Sequence, residues 1–234
     1  MTRTSGKRVT HVILDVDGTL LDTETCYEKA NQEMLAKFGR KFTSEMKANM
    51  MGRNGVEAVA WLIKEVGISD KISVEDFVAQ KDAMLAEMFP KCNAFPGAER
   101  LVRHFAKHHI PMAICSGSCY RKFEQKAIRH RHWMDLIPIK VLCADEKEIK
   151  RGKPYPDGFL MTMRKFCNAP ADPSHVLVIE DSPNGVQATI AAGMQCVAVP
   201  DPALRSQVQL LNVSKVLTSL EEFKPEEFGL PPFD

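Results

Sequence analysis

The stretch His11-Val12-Ile13-Leu14-Asp15-Val16-Asp17-Gly18-Thr19-Leu20 decides the fold. An aliphatic run of strand length ends in two carboxylates and a glycine. Such a run, with no polar residue alternating through it, suits a strand covered on both faces. Gly18 stops it with a sharp turn. Working outward, further short apolar strands are expected at Ile110 to Cys115, Ile139 to Cys143, Val176 to Ile179 and Cys196 to Val199. Helical spacing runs over Leu101 to His108 and Phe159 to Phe166, and Pro183, at a first-turn position, opens a helix that reaches Gly193. Strands alternating with helices predict an α/β fold, a doubly wound parallel sheet with helices on both faces.

One region breaks the alternation. From Thr23 to Cys92 the pattern is helical without a convincing strand. Thr43 is placed to cap one helix, and Ser73 with Asp76 resembles a capping box opening another. Met34, Met46, Met50, Met51, Met84 and Met88 fall here and read as helix-packing core. The expected organisation is a catalytic α/β core over 1–22 and 93–234 with an inserted all-helical domain over 23–92. Pro231-Pro232 reads as a tail lying on the surface.

Composition narrows the partners. The 234 residues are 44% apolar and 26% charged, enough to bury a core without disulfide or metal staples. A net charge of +1, with acids and bases interspersed, points away from polymeric nucleic acid and from a membrane surface. Seven scattered cysteines with no CxxC pair suit buried, reduced thiols and a cytoplasmic location. The polar N-terminus is followed by an apolar run that is too short for a signal peptide and holds Asp15. A monomer is expected.

The polar residues that matter fall at strand ends. Asp15 and Asp17 follow the first strand, Ser116 follows the second, Lys153 lies in the loop Arg151-Gly152-Lys153-Pro154, and Glu180-Asp181 follow Val176 to Ile179. Open parallel sheets bind ligands beyond the carboxyl ends of their strands, at the topological switch point. Asp15, Asp17 and Asp181 in one crevice repel, and a hard, oxygen-liganded cation such as Mg²⁺ relieves that repulsion. Gly18 lets the turn approach an anion, Lys153 adds positive charge, and Ser116 with Gly117 offers a hydroxyl and an unhindered amide to phosphate oxygens.

These clusters resemble the four signature motifs of the haloacid dehalogenase-like hydrolases: Asp15-Val16-Asp17-Gly18-Thr19-Leu20, then Ser116, then Lys153 in Gly152-Lys153-Pro154, then Glu180-Asp181-Ser182-Pro183-Asn184-Gly185. The resemblance runs end to end. It implies a Rossmann-like core and, in the insertion, the helical cap of the subgroup holding β-phosphoglucomutase and many sugar-phosphate phosphatases. Phe95-Pro96-Gly97-Ala98-Glu99 and the tail Phe228-Gly229-Leu230-Pro231 are similar to the pseudouridine-5′-phosphatase branch. The implied activity is Mg²⁺-dependent hydrolysis of a small phosphorylated metabolite, a nucleotide or sugar monophosphate such as pseudouridine 5′-monophosphate. Asp15 is the implied nucleophile and Asp17 the acid and base. Lys153 is the implied neutralising cation. Asp15, Asp181, Glu180 through water and the Asp17 carbonyl form the implied metal site. Gly18, Thr19, Ser116 and Gly117 are expected to hold phosphate. In the insertion, Arg53 within Met51-Gly52-Arg53-Asn54-Gly55 and Glu24 at the hinge are candidates for substrate contact. Arg129-His130-Arg131-His132 reads as a solvated helix face. The alternatives are a phosphomutase sharing every core residue, a receiver-type signalling module, and a non-catalytic phosphate-binding protein.

Overall fold

The computed structural model describes residues 7–50 and 55–234. Its strands are β1 (His11–Leu14), β2 (Met112–Ser116), β3 (Ile139–Leu142), β4 (Val176–Glu180), β5 (Gln195–Ala198) and β6 (Lys215–Val216). All pair in parallel, in the order β3-β2-β1-β4-β5-β6. The chain builds outward from β1 to β3 on one side, then crosses back to β4. The switch point therefore lies between β1 and β4, and their carboxyl ends share one edge.

β1 and β4 carry no exposed residue, and their alternate side chains feed two different cores. Val12, Leu14, Leu177 and Ile179 pack with Leu101, Phe105 and Trp133. Ile13, Val176 and Val178 pack with Phe159 and Ala188. A strand with both faces covered reads as an unbroken aliphatic run, which is why His11 to Leu14 shows no polar alternation. The covering helices are α5 (Ala98–Lys107), α6 (Tyr120–Ala127), α7 (Arg131–Met134), α8 (Asp157–Arg164), α9 (Pro183–Ala191) and α10 (Arg205–Gln209).

Between β1 and β2 lie α1 (Glu24–Ala36), α2 (Ser44–Met50), α3 (Gly55–Glu65) and α4 (Val74–Met88). They enclose a core of their own around Met34, Leu35, Val59, Leu62 and Phe77. The ends of α1 and α4 nearest the sheet, Cys26, Ala30 and Leu85, belong instead to the core above β1. Thr43 accepts a hydrogen bond from the Met46 amide at 3.2 Å, and Ser73 accepts one from Asp76 at 3.0 Å, as the capping pattern requires. Met34 is buried, and Met46, Met50, Met84 and Met88 pack partly buried against these cores. Met51 lies outside the described residues.

One sequence expectation changes, that of His130, and two features went unforeseen. β6 is a strand of two residues, too short to show any periodicity. Pro232 is exposed, as expected of a tail on the surface, and the segments around it are held down. The Val9 amide donates to the Phe228 carbonyl, Leu230 is buried, and His104 Nε2 lies 2.9 Å from the Pro231 carbonyl oxygen. His130 departs from the solvated face formed by Arg129, Arg131 and His132. It is buried, with Nε2 3.0 Å from the Cys92 carbonyl oxygen. The seven cysteines are free; four are buried and Cys167 is exposed.

Candidate active site

The strand ends are tied together by backbone hydrogen bonds just where the polar residues begin. The Asp15 amide donates to Ile179 at 3.1 Å, Cys143 to Ser116 at 2.8 Å and Val199 to Glu180 at 2.7 Å. Asp15, Ser116, Glu180 and Asp181 therefore stand at hydrogen-bonded strand ends, and all four are buried.

Lys153 reaches this edge from its loop. Its Nζ lies 2.5 Å from Asp15 Oδ1 and 2.6 Å from Glu180 Oε1. The second Glu180 oxygen accepts the amides of Asp181 and Ser182, each at 2.8 Å. Both oxygens of Glu180 are thus engaged, and its carboxylate seats over Gly185, where a Cβ would lie 1.7 Å from Oε1. Gly18 has φ +84°, and a Cβ there would lie 2.2 Å from Asp181 Oδ2. Its amide donates to Leu21 within the turn. Thr19 donates to Asp181 at 3.2 Å. Gly18 and Thr19 consequently shape the seat of Asp181.

Asp15, Glu180 and Asp181 each offer an oxygen, and these atoms lie within 4.8 Å of one another. One ammonium faces three carboxyls. Burial, opposed by Lys153 and reinforced by Glu180 and Asp17, pushes Asp15 up to about 8. Burial and the neighbouring Glu180 and Asp15 raise Asp181 well above the carboxylate range. An all-oxygen donor set with excess negative charge, and a glycine leaving room beside Asp181, fits a hard divalent cation.

Asp17 meets opposite surroundings. Burial again favours the neutral acid, but Lys126 outweighs it, with Thr23 and Ser116 adding, and the carboxyl is held below its usual range. Oδ1 accepts from Lys126 at 2.5 Å and from Thr23 at 2.8 Å, while Oδ2 accepts from Ser116 at 3.3 Å. Sequence reading missed Lys126. The available signal was its place in Phe123-Glu124-Gln125-Lys126-Ala127, beside Phe123 and Ala127 on the apolar face of a helix.

A cavity of ≈ 420 Å³ opens over these groups, with Asp15, Asp17, Lys153, Asp181, Gly117 and Glu24 on its wall. Glu24 is placed at the junction with a second cavity of ≈ 350 Å³ among the inserted helices. There Asn31 Oδ1 is buried without a hydrogen-bond partner among the described residues. Burial pushes the Lys81 amine in the same wall down to about 8. Burial, then the charge of Asp17, raises Glu24 to about 7. Arg53 lies outside the described residues.

The family pattern described as haloacid dehalogenase-like hydrolase matches residues 12–199. The chain belongs to the haloacid dehalogenase-like hydrolases. It is 46% identical over 226 residues to (DL)-glycerol-3-phosphatase 2 of Arabidopsis thaliana, covering 97% of this chain and 93% of that one. It is 39% identical over 227 residues to a probable pseudouridine-5′-phosphatase of Drosophila melanogaster, covering 97% and 96%. A HAD family hydrolase from Deinococcus radiodurans, solved with bound phosphate and sodium, superposes with a TM-score of 0.77 at 25% identity, covering 96% and 99%. Like its relatives in this family, the chain is a phosphoric monoester hydrolase. Among the described residues, no helix is long and apolar enough to cross a membrane.

Proposed function

We propose that this haloacid dehalogenase-like hydrolase is a Mg²⁺-dependent phosphatase that works through an aspartyl-phosphate on Asp15. The observation carrying the reading is the contact of Asp15 with Lys153 inside the buried oxygen cluster at the switch point. Asp15 and Asp181, with the Asp17 carbonyl, would hold Mg²⁺, which when bound supplies charge neutralisation at the phosphoryl oxygens. The Asp15 carboxylate attacks phosphorus in line, forming an acyl-phosphate bond as the ester P–O bond breaks. Lys153 offsets the repulsion between an anionic nucleophile and an anionic phosphate. The Gly117 amide holds phosphoryl oxygens, and Ser116 joins it when its hydroxyl turns from Asp17 Oδ2 to the phosphate.

Asp17 gives a proton to the leaving alkoxide. The approach of a phosphate dianion raises the proton affinity of Asp17 against the pull of Lys126. The resulting carboxylate then takes a proton from water as the water oxygen attacks phosphorus and frees Asp15. Glu180 acts through the ammonium it shares with Asp15.

The alcohol part of the substrate occupies the cavity among the inserted helices. Its wall of Asn31, Lys81 and Glu24 beside Phe42 and Val78 suits a small polyol or a ribosyl group. Glycerol 3-phosphate and pseudouridine 5′-monophosphate are therefore the first candidates, in line with the names of the two relatives. Arg53, outside the described residues, is proposed to meet the same group. The test is a phosphate-release screen over both compounds and a panel of sugar monophosphates, with Mg²⁺ and with excess chelator. Release from at least one, abolished by chelator, is expected. Conversion of a sugar 1-phosphate to its 6-phosphate without release would replace hydrolysis by mutase chemistry.

A further inference from the structure

Lys126, on the last turn of α6, has a side chain only 1% exposed, yet it carries a charge. Its ammonium donates to three acceptors: Asp17 Oδ1 at 2.5 Å, Ser118 Oγ at 3.0 Å and the Tyr27 hydroxyl at 3.5 Å. The rings of Phe89 and Tyr27 flank it, with centroids 4.7 and 5.7 Å away. Space of that kind is ordinarily filled by an aliphatic side chain, because a buried ammonium is costly unless every donor is met. Asp17 is the one carboxylate that pairs with it among the described residues.

The two oxygens of Asp17 are not equivalent. Oδ1 carries both short bonds, from Lys126 and Thr23, while Oδ2 accepts only the longer one from Ser116 at 3.3 Å. Asp17 lines the cavity over the oxygen cluster and Lys126 does not. A substrate therefore meets Asp17 without touching the lysine. Three elements converge on the carboxylate: the N-cap of α1 through Thr23, the end of β2 through Ser116, and α6 through Lys126. Lys126 alone of these brings a charge. Without it the carboxylate keeps two neutral hydroxyl partners and loses the charged one that fixes Oδ1.

We propose that Lys126 is a positioning residue: it pins Asp17 Oδ1, so that Oδ2 is the oxygen that exchanges a proton with the leaving group and with water. The inference rests on Asp17 serving as the acid and base. Its consequence depends on the leaving group. An alkoxide needs the proton as the P–O bond breaks, whereas a nitrophenolate leaves without it.

The experiment compares wild type, Lys126→Met, Lys126→Gln and Asp17→Asn on glycerol 3-phosphate and on p-nitrophenyl phosphate, with saturating Mg²⁺ and each variant checked by thermal unfolding. Two lysine variants are used so that a folding failure of one leaves the other. In either folded variant, phosphorylation by the alkyl ester, read by rapid quench, should fall about 10²-fold. With the aryl ester it should fall less than about threefold, and KM should stay within about threefold for both. Equal losses on the two esters, or no loss, overturn the proposal. Asp17→Asn must itself show the leaving-group dependence; if it does not, the acid assignment fails and the role of Lys126 fails with it. A wild type that releases phosphate from neither ester, nor from any compound of the screen above, refutes the phosphatase reading and the role of Lys126 with it.

Discussion

Asp15 and Asp17 stand two positions apart, and the same side chain meets opposite surroundings at each. Burial with too few cations pushes Asp15 up to about 8, whereas Lys126 holds Asp17 in its charged form. The proposed roles need both states to change on loading: a bound cation favours the Asp15 carboxylate, and an approaching phosphate dianion raises the proton affinity of Asp17. Asp15→Asn removes the attacking oxygen, so rapid-quench trapping should recover no phosphoenzyme from any substrate. Asp17→Asn keeps the nucleophile but loses the proton carrier, and hydrolysis of its phosphoenzyme should slow about 10²–10⁴-fold, letting the intermediate accumulate. Phosphate trapped on Asp15→Asn and not on Asp17→Asn would reverse the assignment. Gly18→Ala tests the seat of Asp181. A methyl group forced into a backbone at φ +84° costs about 1–3 kcal/mol, and it displaces the Asp181 carboxylate. Both the unfolding midpoint and Mg²⁺ affinity, measured by titration calorimetry, should drop; unchanged affinity would show that Asp181 is no ligand. The acids were legible because strand ends in a parallel sheet converge whatever the intervening sequence. Lys126 was not legible, because a lysine near a helix end looks solvated until the rings and the carboxylate that enclose it come from three other parts of the chain.

At the scale of elements, legibility followed burial. β1, β2 and β4 are covered on both faces and advertise themselves as aliphatic runs, and each begins within two residues of its expected start. β6 holds two half-buried residues paired only to β5, and such a strand leaves no pattern to read. Helix starts were legible where a side chain supplies the first hydrogen bond. At α4, Ser73 Oγ accepts the Asp76 amide at 3.0 Å and donates to the Asp76 carboxylate at 2.8 Å. Ser73→Ala should lower stability by about 1 kcal/mol, read as a fall in the unfolding midpoint. The rate on p-nitrophenyl phosphate should not change, since this exposed cap is absent from the walls of both cavities. A rate that falls with the midpoint would mean that α4 transmits its position to the catalytic edge.

For the molecule as a whole, the oxygen cluster ties folding to protons and, under the proposed Mg²⁺ dependence, to metal. Asp15 and Asp181 hold their protons above the range where they lose them in an unfolded chain, Asp15 up to about 8. Between roughly pH 4 and 8 the folded protein without metal thus binds more protons than the unfolded one. Its stability falls as pH rises through that window, because the folded carboxyls must then ionise against burial and against one another. A divalent cation inverts the balance. It needs ionised ligands, so binding expels the protons that the cluster retained, and its affinity must climb with pH until they are gone. Each proton displaced steepens that climb to about tenfold per pH unit. Calorimetric titration with Mg²⁺ at pH 6 and pH 8, in two buffers of different ionisation enthalpy, counts those protons directly. Tighter binding and a larger rise in unfolding midpoint are expected at pH 8, with net proton release at pH 6. Asp15→Asn should flatten both dependences, because it removes one of the carboxyls that holds a proton. Mg²⁺ affinity that is level or falling from pH 6 to pH 8 would mean that the cation sits elsewhere and that the three carboxyls share protons for a different purpose.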